Sequence, residues 1–149
     1  MTLDSSLSPS LVTRVLLVRL GDEWFALPAT YVREVVRWRE PTPVPGSPPA
    51  LLGVLNLRGM ILALIDLRFL LNVQPSPPAR STRLVTVESA EYNAALLVDE
   101  VRDLLDLDSA EREAPPAGSS RFIAGLLPTE LGRAGLLDLA AIFEAIRGS

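Results

Sequence analysis

Residues 52–71 set two apolar runs, Leu52 to Leu57 and Met60 to Leu71, on either side of Arg58-Gly59. Asn56, Arg58, Asp66 and Arg68 interrupt them. A guanidinium or carboxylate in such surroundings is costly unless it finds a partner. Glu34, earlier in the chain, is the candidate partner for Arg58. The pattern predicts a central hairpin of Gly53–Leu57 and Met60–Ile65, followed by one helical turn over Leu67–Leu71.

Thr13–Leu20 and Glu23–Leu27, rich in β-branched and apolar residues, flank Gly21-Asp22 and read as a hairpin that Pro28 ends. Thr30–Arg39 reads as a short turn and then a strand. Pro41–Ala50, with five prolines, cannot join a sheet interior and reads as an extended strap. Pro75–Ser81 is a second Pro-rich loop. Arg83–Val87 and Asn93–Val98 pair across Ser89-Ala90-Glu91. Val101–Leu107, Arg121–Leu127 and Leu131–Leu137 read as further strands, with a long polar loop over Asp108–Ser120. Asp138 caps a last helix whose Leu139, Ile142, Phe143 and Ile146 form one stripe, and Gly148 ends it. Met1–Val12, rich in Ser, reads as a loose tail before a single domain over 13–149.

Short strands separated by turn signals about every eight to twelve residues indicate an all-β barrel or sandwich. The strands cluster before and after the loop at Pro75. That predicts two small barrels, approximate halves before and after residue 75, with no repeat evident in the sequence.

Composition narrows the chemistry. The chain has 149 residues, no cysteine, no histidine and a net charge of −4; its cations are all arginine. Disulfides, thiolate metal sites, imidazole proton shuttles, Schiff-base lysines and a P-loop lysine are therefore excluded. The scattered arginines and negative balance argue against a nucleic-acid footprint. The absence of an 18-residue apolar run or a basic, apolar leader makes the cytoplasm the simplest location.

Several blocks, taken in order, resemble the CheW-like domain of bacterial chemotaxis coupling proteins. They are Val32-Arg33-Glu34-Val35, Pro43 to Pro48, Gly53 to Gly59, Ile65-Asp66-Leu67, Leu97 to Val101 and Phe122 to Gly125. The resemblance runs from about Arg14 to Ile146. The chain departs from the family at Ala63-Leu64, where Pro-Val is common, and at Leu71-Asn72, where Leu-Gly is common.

The resemblance implies two interlocked five-stranded SH3-like barrels with a groove between them and a C-terminal helix. It implies an adaptor that links the cytoplasmic tip of a chemoreceptor to a histidine autokinase carrying a domain of the same fold, recruited to membrane receptor arrays. It implies no enzyme activity; no cofactor is expected, and without His or Cys, and with Asp66 and Asp99 not clustered as Asp-x-Asp, no metal site is expected either. It places Val32, Glu34, Gly53, Asn56 and Arg58 at the receptor-binding groove, and makes Gly59, Asp66, Val98 and Asp99 structural signatures.

Plainer roles stand beside these. Val32 fits a core, Gly53 a bulge, Asn56 a turn, and Asp66 and Asp99 strand-end caps. The acidic stretch Asp99 to Asp108 fits a solvated edge that deters pairing. Trp24, Phe25, Phe69, Phe122 and Phe143 fit core or inter-barrel packing, with Trp38 the best candidate for a part-exposed anchor. Two other functions are weighed. One is a coupler of the same fold for pilus motility, biofilm formation or another non-flagellar system. The other is a carboxylate-only hydrolase using Asp66 and Asp99, which needs both acids facing a cleft at about 5–9.5 Å.

Overall fold

The computed structural model describes residues 12–108 and 111–147. The predicted tail, apart from Val12, and the helix-ending Gly148 lie outside them. Among the described residues ten strands and two helices follow one another: β1 (Val12–Leu20), β2 (Glu23–Pro28), β3 (Val32–Arg37), β4 (Leu51–Leu57), β5 (Met60–Asp66), α1 (Leu67–Leu70), β6 (Arg83–Glu88), β7 (Asn93–Val98), β8 (Glu100–Asp108), β9 (Ile123–Thr129), β10 (Gly132–Leu137) and α2 (Leu139–Arg147). A 3-10 turn, Ala29–Tyr31, links β2 to β3.

Two five-stranded sheets form, ordered β8-β1-β2-β10-β9 and β3-β6-β7-β5-β4. Adding five to a strand's number, cyclically, converts one order into the other. The parallel pairs correspond too, β2 with β10 in one sheet and β7 with β5 in the other. The chain is thus a five-strand-plus-helix unit used twice, with strands exchanged between the units. This corrects the expected division at residue 75. That loop separates the two units along the chain, yet each sheet draws strands from both sides of it. Local strand signals report pairing within hairpins, and the parallel β2–β10 and β5–β7 contacts leave no such trace.

Burial explains the sequence texture. In β1, Val15 and Leu17 face the core of the first barrel, while Leu16, Val18 and Leu20 face the space between barrels. In β7, Ala95 and Leu97 face the second barrel's core, while Ala94, Leu96 and Val98 face the space between. Strands buried on both faces read as continuous apolar runs. The edge strand β3 instead alternates half-buried and exposed positions.

One edge strand of each sheet, β4 and β9, carries a strap. Thr42 of the Pro-rich segment pairs with Val54, and Glu113 pairs with Leu126. Each strap crosses beside a glycine. A Cβ on Gly53, whose φ is +150°, would stand 2.3 Å from the Thr42 carbonyl oxygen; one on Gly125 would stand 2.6 Å from Arg112 Nε and 3.0 Å from the Glu113 carbonyl oxygen. Both helices are entered alike, too. Asp66 Oδ1 accepts from Arg68 N at 3.0 Å, and Asp138 Oδ1 accepts from Ala141 N at 3.1 Å. Asn72, just past α1, has a φ of +57°. Asparagine tolerates the left-handed region better than most residues, so the departure from glycine there is conservative.

Phe25, Phe122 and Phe143 are buried as expected, but Phe69 is 55% exposed. The single turn of α1 points Leu67 and Arg68 inward, which leaves Phe69 facing out.

Candidate partner-binding groove

The β4–β5 hairpin closes through Arg58 and Gly59, with φ of +52° and +84°. Two successive positive φ values in a two-residue loop make a type I′ turn, the form that matches strand twist. Asn56 Oδ1 accepts the Gly59 N–H at 2.9 Å and holds the turn. Glycine and asparagine suit such a turn; Arg58 does not, and it uses its position to reach Glu34 on β3. The strands β3 and β4 are the two edges of their sheet, so this ion pair spans the barrel's open seam. Glu34 is anchored from behind, its N–H donating to Thr86 Oγ1 at 3.1 Å and its carbonyl accepting from that hydroxyl at 3.3 Å. The Arg58 side chain remains 75% exposed and Glu34 33%. The hydrogen bond from Arg58, opposed by desolvation, holds the Glu34 carboxyl below its ordinary range. The same bond raises the Arg58 guanidinium.

Around this pair lies a depression of about 510 Å³, bordered by Leu57, Met60, Leu62 and Glu88. Glu88, itself paired with Arg33, also borders a larger apolar groove of about 650 Å³ between the barrels. Tyr31, Val87, Leu136, Leu137 and Phe143 line that groove. Its wall is an aromatic stack, Tyr92 on Phe143, with ring centroids 4.5 Å apart. Arg147 lies over Tyr92 at 5.0 Å and donates to its hydroxyl at 2.9 Å, which fastens α2 to the wall. An apolar trough with a charged mouth is the shape that an amphipathic helix fills.

The sequence-selected residues fall into three places. Glu34 and Arg58 meet at the mouth, with Asn56 and Gly59 shaping the turn. Val32 is half-buried against the inter-barrel core, next to the groove residue Tyr31. Gly53 serves its own chain, because the space above it is filled by Thr42; a bulge interrupts the pairing of β4 with β5 between Leu51 and Gly53. Val98 is fully buried in the inter-barrel core.

Asp66 and Asp99 are brought together by a residue without an assigned partner in the sequence. Arg68, 6% exposed, pairs with Asp66 Oδ1 and Asp99 Oδ1, each at 3.0 Å. Asp99 Oδ2 accepts from Gly21 N at 2.7 Å, and Asp99 N donates to the Arg19 carbonyl at 2.9 Å. The cluster therefore ties β5 of one barrel to the β1–β2 turn of the other. Both carboxylates are buried and engaged, which removes the open pair a carboxylate hydrolase needs. Arg68 was visible as a lone cation in an apolar run. Tyr31, Tyr92 and Phe143 carried no sequence signal for the groove, because only the exchange of strands assembles it.

Comparison with known proteins agrees with this architecture. The CheW-like domain model matches residues 14–147. A probable chemotaxis protein CheW from Rhizobium etli is 33% identical over 130 residues, 85% of this chain and 84% of that one. A gliding motility regulatory protein from Myxococcus xanthus is 33% identical over 142 residues, 90% of this chain but 17% of that protein. The crystal structure of the scaffolding protein TtCheW from Thermoanaerobacter tengcongensis superposes with a TM-score of 0.78 at 26% identity, covering 85% of this chain and 88% of that one. This chain belongs to the CheW-like domain family.

Proposed function

We propose that this protein is a chemotaxis-type coupling adaptor that seats the helical hairpin tip of a chemoreceptor in the inter-barrel groove and holds the regulatory domain of a histidine autokinase on another face. Contiguity carries the reading: an apolar groove opens at Glu88 onto the exposed Glu34–Arg58 pair. Burial of the receptor's apolar stripe against Tyr31 and the Tyr92–Phe143 wall supplies affinity, and the charged mouth fixes register.

The adaptor performs no covalent chemistry. Its work is to hold receptor and kinase at high effective concentration on one rigid body. A receptor signal passes to the kinase when one of the two contacts differs in free energy between receptor states. Among the described residues no helix is long and apolar enough to cross a membrane; recruitment to membrane arrays follows from the receptor contact, with the adaptor itself in the cytoplasm.

Likeness to a gliding motility regulator favours a second reading, in which the same device serves surface motility without flagella. Pull-down of the folded full chain with a receptor hairpin tip and with a kinase regulatory domain tests both readings. Retention of both partners supports the adaptor, and failure to retain either contradicts it.

A further inference from the structure

Where β3 ends and β6 begins, the second barrel carries arginines that line neither the inter-barrel groove nor the depression at its mouth. Arg37 on β3 stands directly opposite Arg83 on β6 in the antiparallel ladder. Like charges so placed destabilise a sheet. A third cation, Arg80, sits on the turn that leads into β6. That turn is built: Thr82, 3% exposed, donates its N–H to the Ala79 carbonyl at 3.1 Å, and its hydroxyl accepts from Ala79 N at 2.8 Å. Arg83 Nη1 donates to the carbonyls of Arg80 and Thr82 at 2.7 and 2.8 Å. These bonds fix its guanidinium and leave Nε and Nη2 to donate elsewhere.

The three arginines and Trp38 border one cavity of about 430 Å³, with no carboxylate in its lining. Arg14, Arg19, Arg33, Arg58, Arg68 and Arg133 each pair with Asp or Glu. Among the described residues eight arginines pair with none, and Arg37, Arg80 and Arg83 are the three of them that share one cavity. In a chain of net charge −4 this is a local excess of cations with free donors.

We propose that Arg37, Arg80 and Arg83 form a binding site for a phosphate-bearing small ligand. A carboxylate is satisfied by one guanidinium, whereas a phosphate offers more oxygens and more charge for several to share. Trp38, half-buried against the second barrel's core, also borders this cavity, and the part of its indole left uncovered is where a nucleobase can stack. Two sources share this chemistry, a nucleotide and free inorganic polyphosphate, and Trp38 distinguishes them.

The test is isothermal titration of the full chain with inorganic pyrophosphate and with GDP at about 0.15 M salt, where long-range charge effects are screened. Saturable one-to-one binding is expected, weakened about tenfold by Arg37→Gln or Arg80→Gln. Arg102→Gln, which removes an arginine beside Trp24 on the other barrel, leaves it unchanged. Tighter binding of GDP that Trp38→Leu abolishes in folded protein supports the site with a nucleotide as ligand. Equal binding of both probes, indifferent to Trp38→Leu, supports it with inorganic phosphate. Absence of saturable binding, or an equal loss with Arg102→Gln, overturns the proposal.

Discussion

Arg58 occupies a turn position that favours asparagine or glycine, so local stability has yielded there to a charge held at the groove mouth. Replacement by glycine removes both the backbone conflict and the ion pair. We expect Arg58→Gly to melt no lower than the wild type in a thermal scan. The acidic partner gives a pH signature. The folded Glu34 carboxyl titrates below its ordinary value of 4.5, so its stabilising contact is fully present above that value and is lost as pH falls through the lowered one. Side-chain NMR titration of Glu34 is expected to show a depressed midpoint, and Arg58→Gly to return it upward. Arg68 is the opposite kind of cation, buried between two buried acids. Arg68→Leu strands Asp66 and Asp99 without a counter-ion and is expected to cost roughly 3–5 kcal/mol in urea denaturation. At this scale the sequence was informative wherever charge broke an apolar run: the pairing of Arg58 with Glu34 could be read from it. The partners of Arg68 could not, because Asp99 reaches it only through the packing of two barrels.

The elements were legible where their chemistry is local. Strand patterns, prolines and Asp caps set the hairpins, the strap and both helices nearly in place. The start of β9 was set two residues early, because Phe122 is apolar yet lies in the turn before the strand, its carbonyl accepting from Asp138 N. The role of Gly53 also needed three dimensions. Its missing Cβ makes room for the chain's own strap, not for a partner helix. Gly53→Ala sets a methyl against a backbone carbonyl in a constrained conformation, and Gly125→Ala sets one first against a flexible arginine. We expect the former to cost about 1–3 kcal/mol and the latter less, by denaturant midpoint at unchanged slope.

Across the whole molecule, exchange of strands makes the two units interdependent. Neither barrel can be completed by residues from one side of the Pro75 loop, and the largest core lies between barrels. Fragments 1–74 and 75–149 expressed separately are therefore expected to lack cooperative melting, and to recover it when co-expressed. The same exchange builds the groove, setting Tyr31 and Val87 against Leu136 and Phe143. The fold class followed from strand spacing and from the ordered family blocks. The groove's walls did not, since they come from residues far apart in sequence with ordinary core chemistry. The decisive experiment is calorimetric titration of a receptor hairpin tip and of a kinase regulatory domain into wild type and Arg58→Gly. Saturable binding of both by wild type is expected, with a loss of about tenfold or more toward the receptor alone in the folded variant. Unchanged receptor affinity in that variant would rule out the Glu34–Arg58 pair as part of the receptor site.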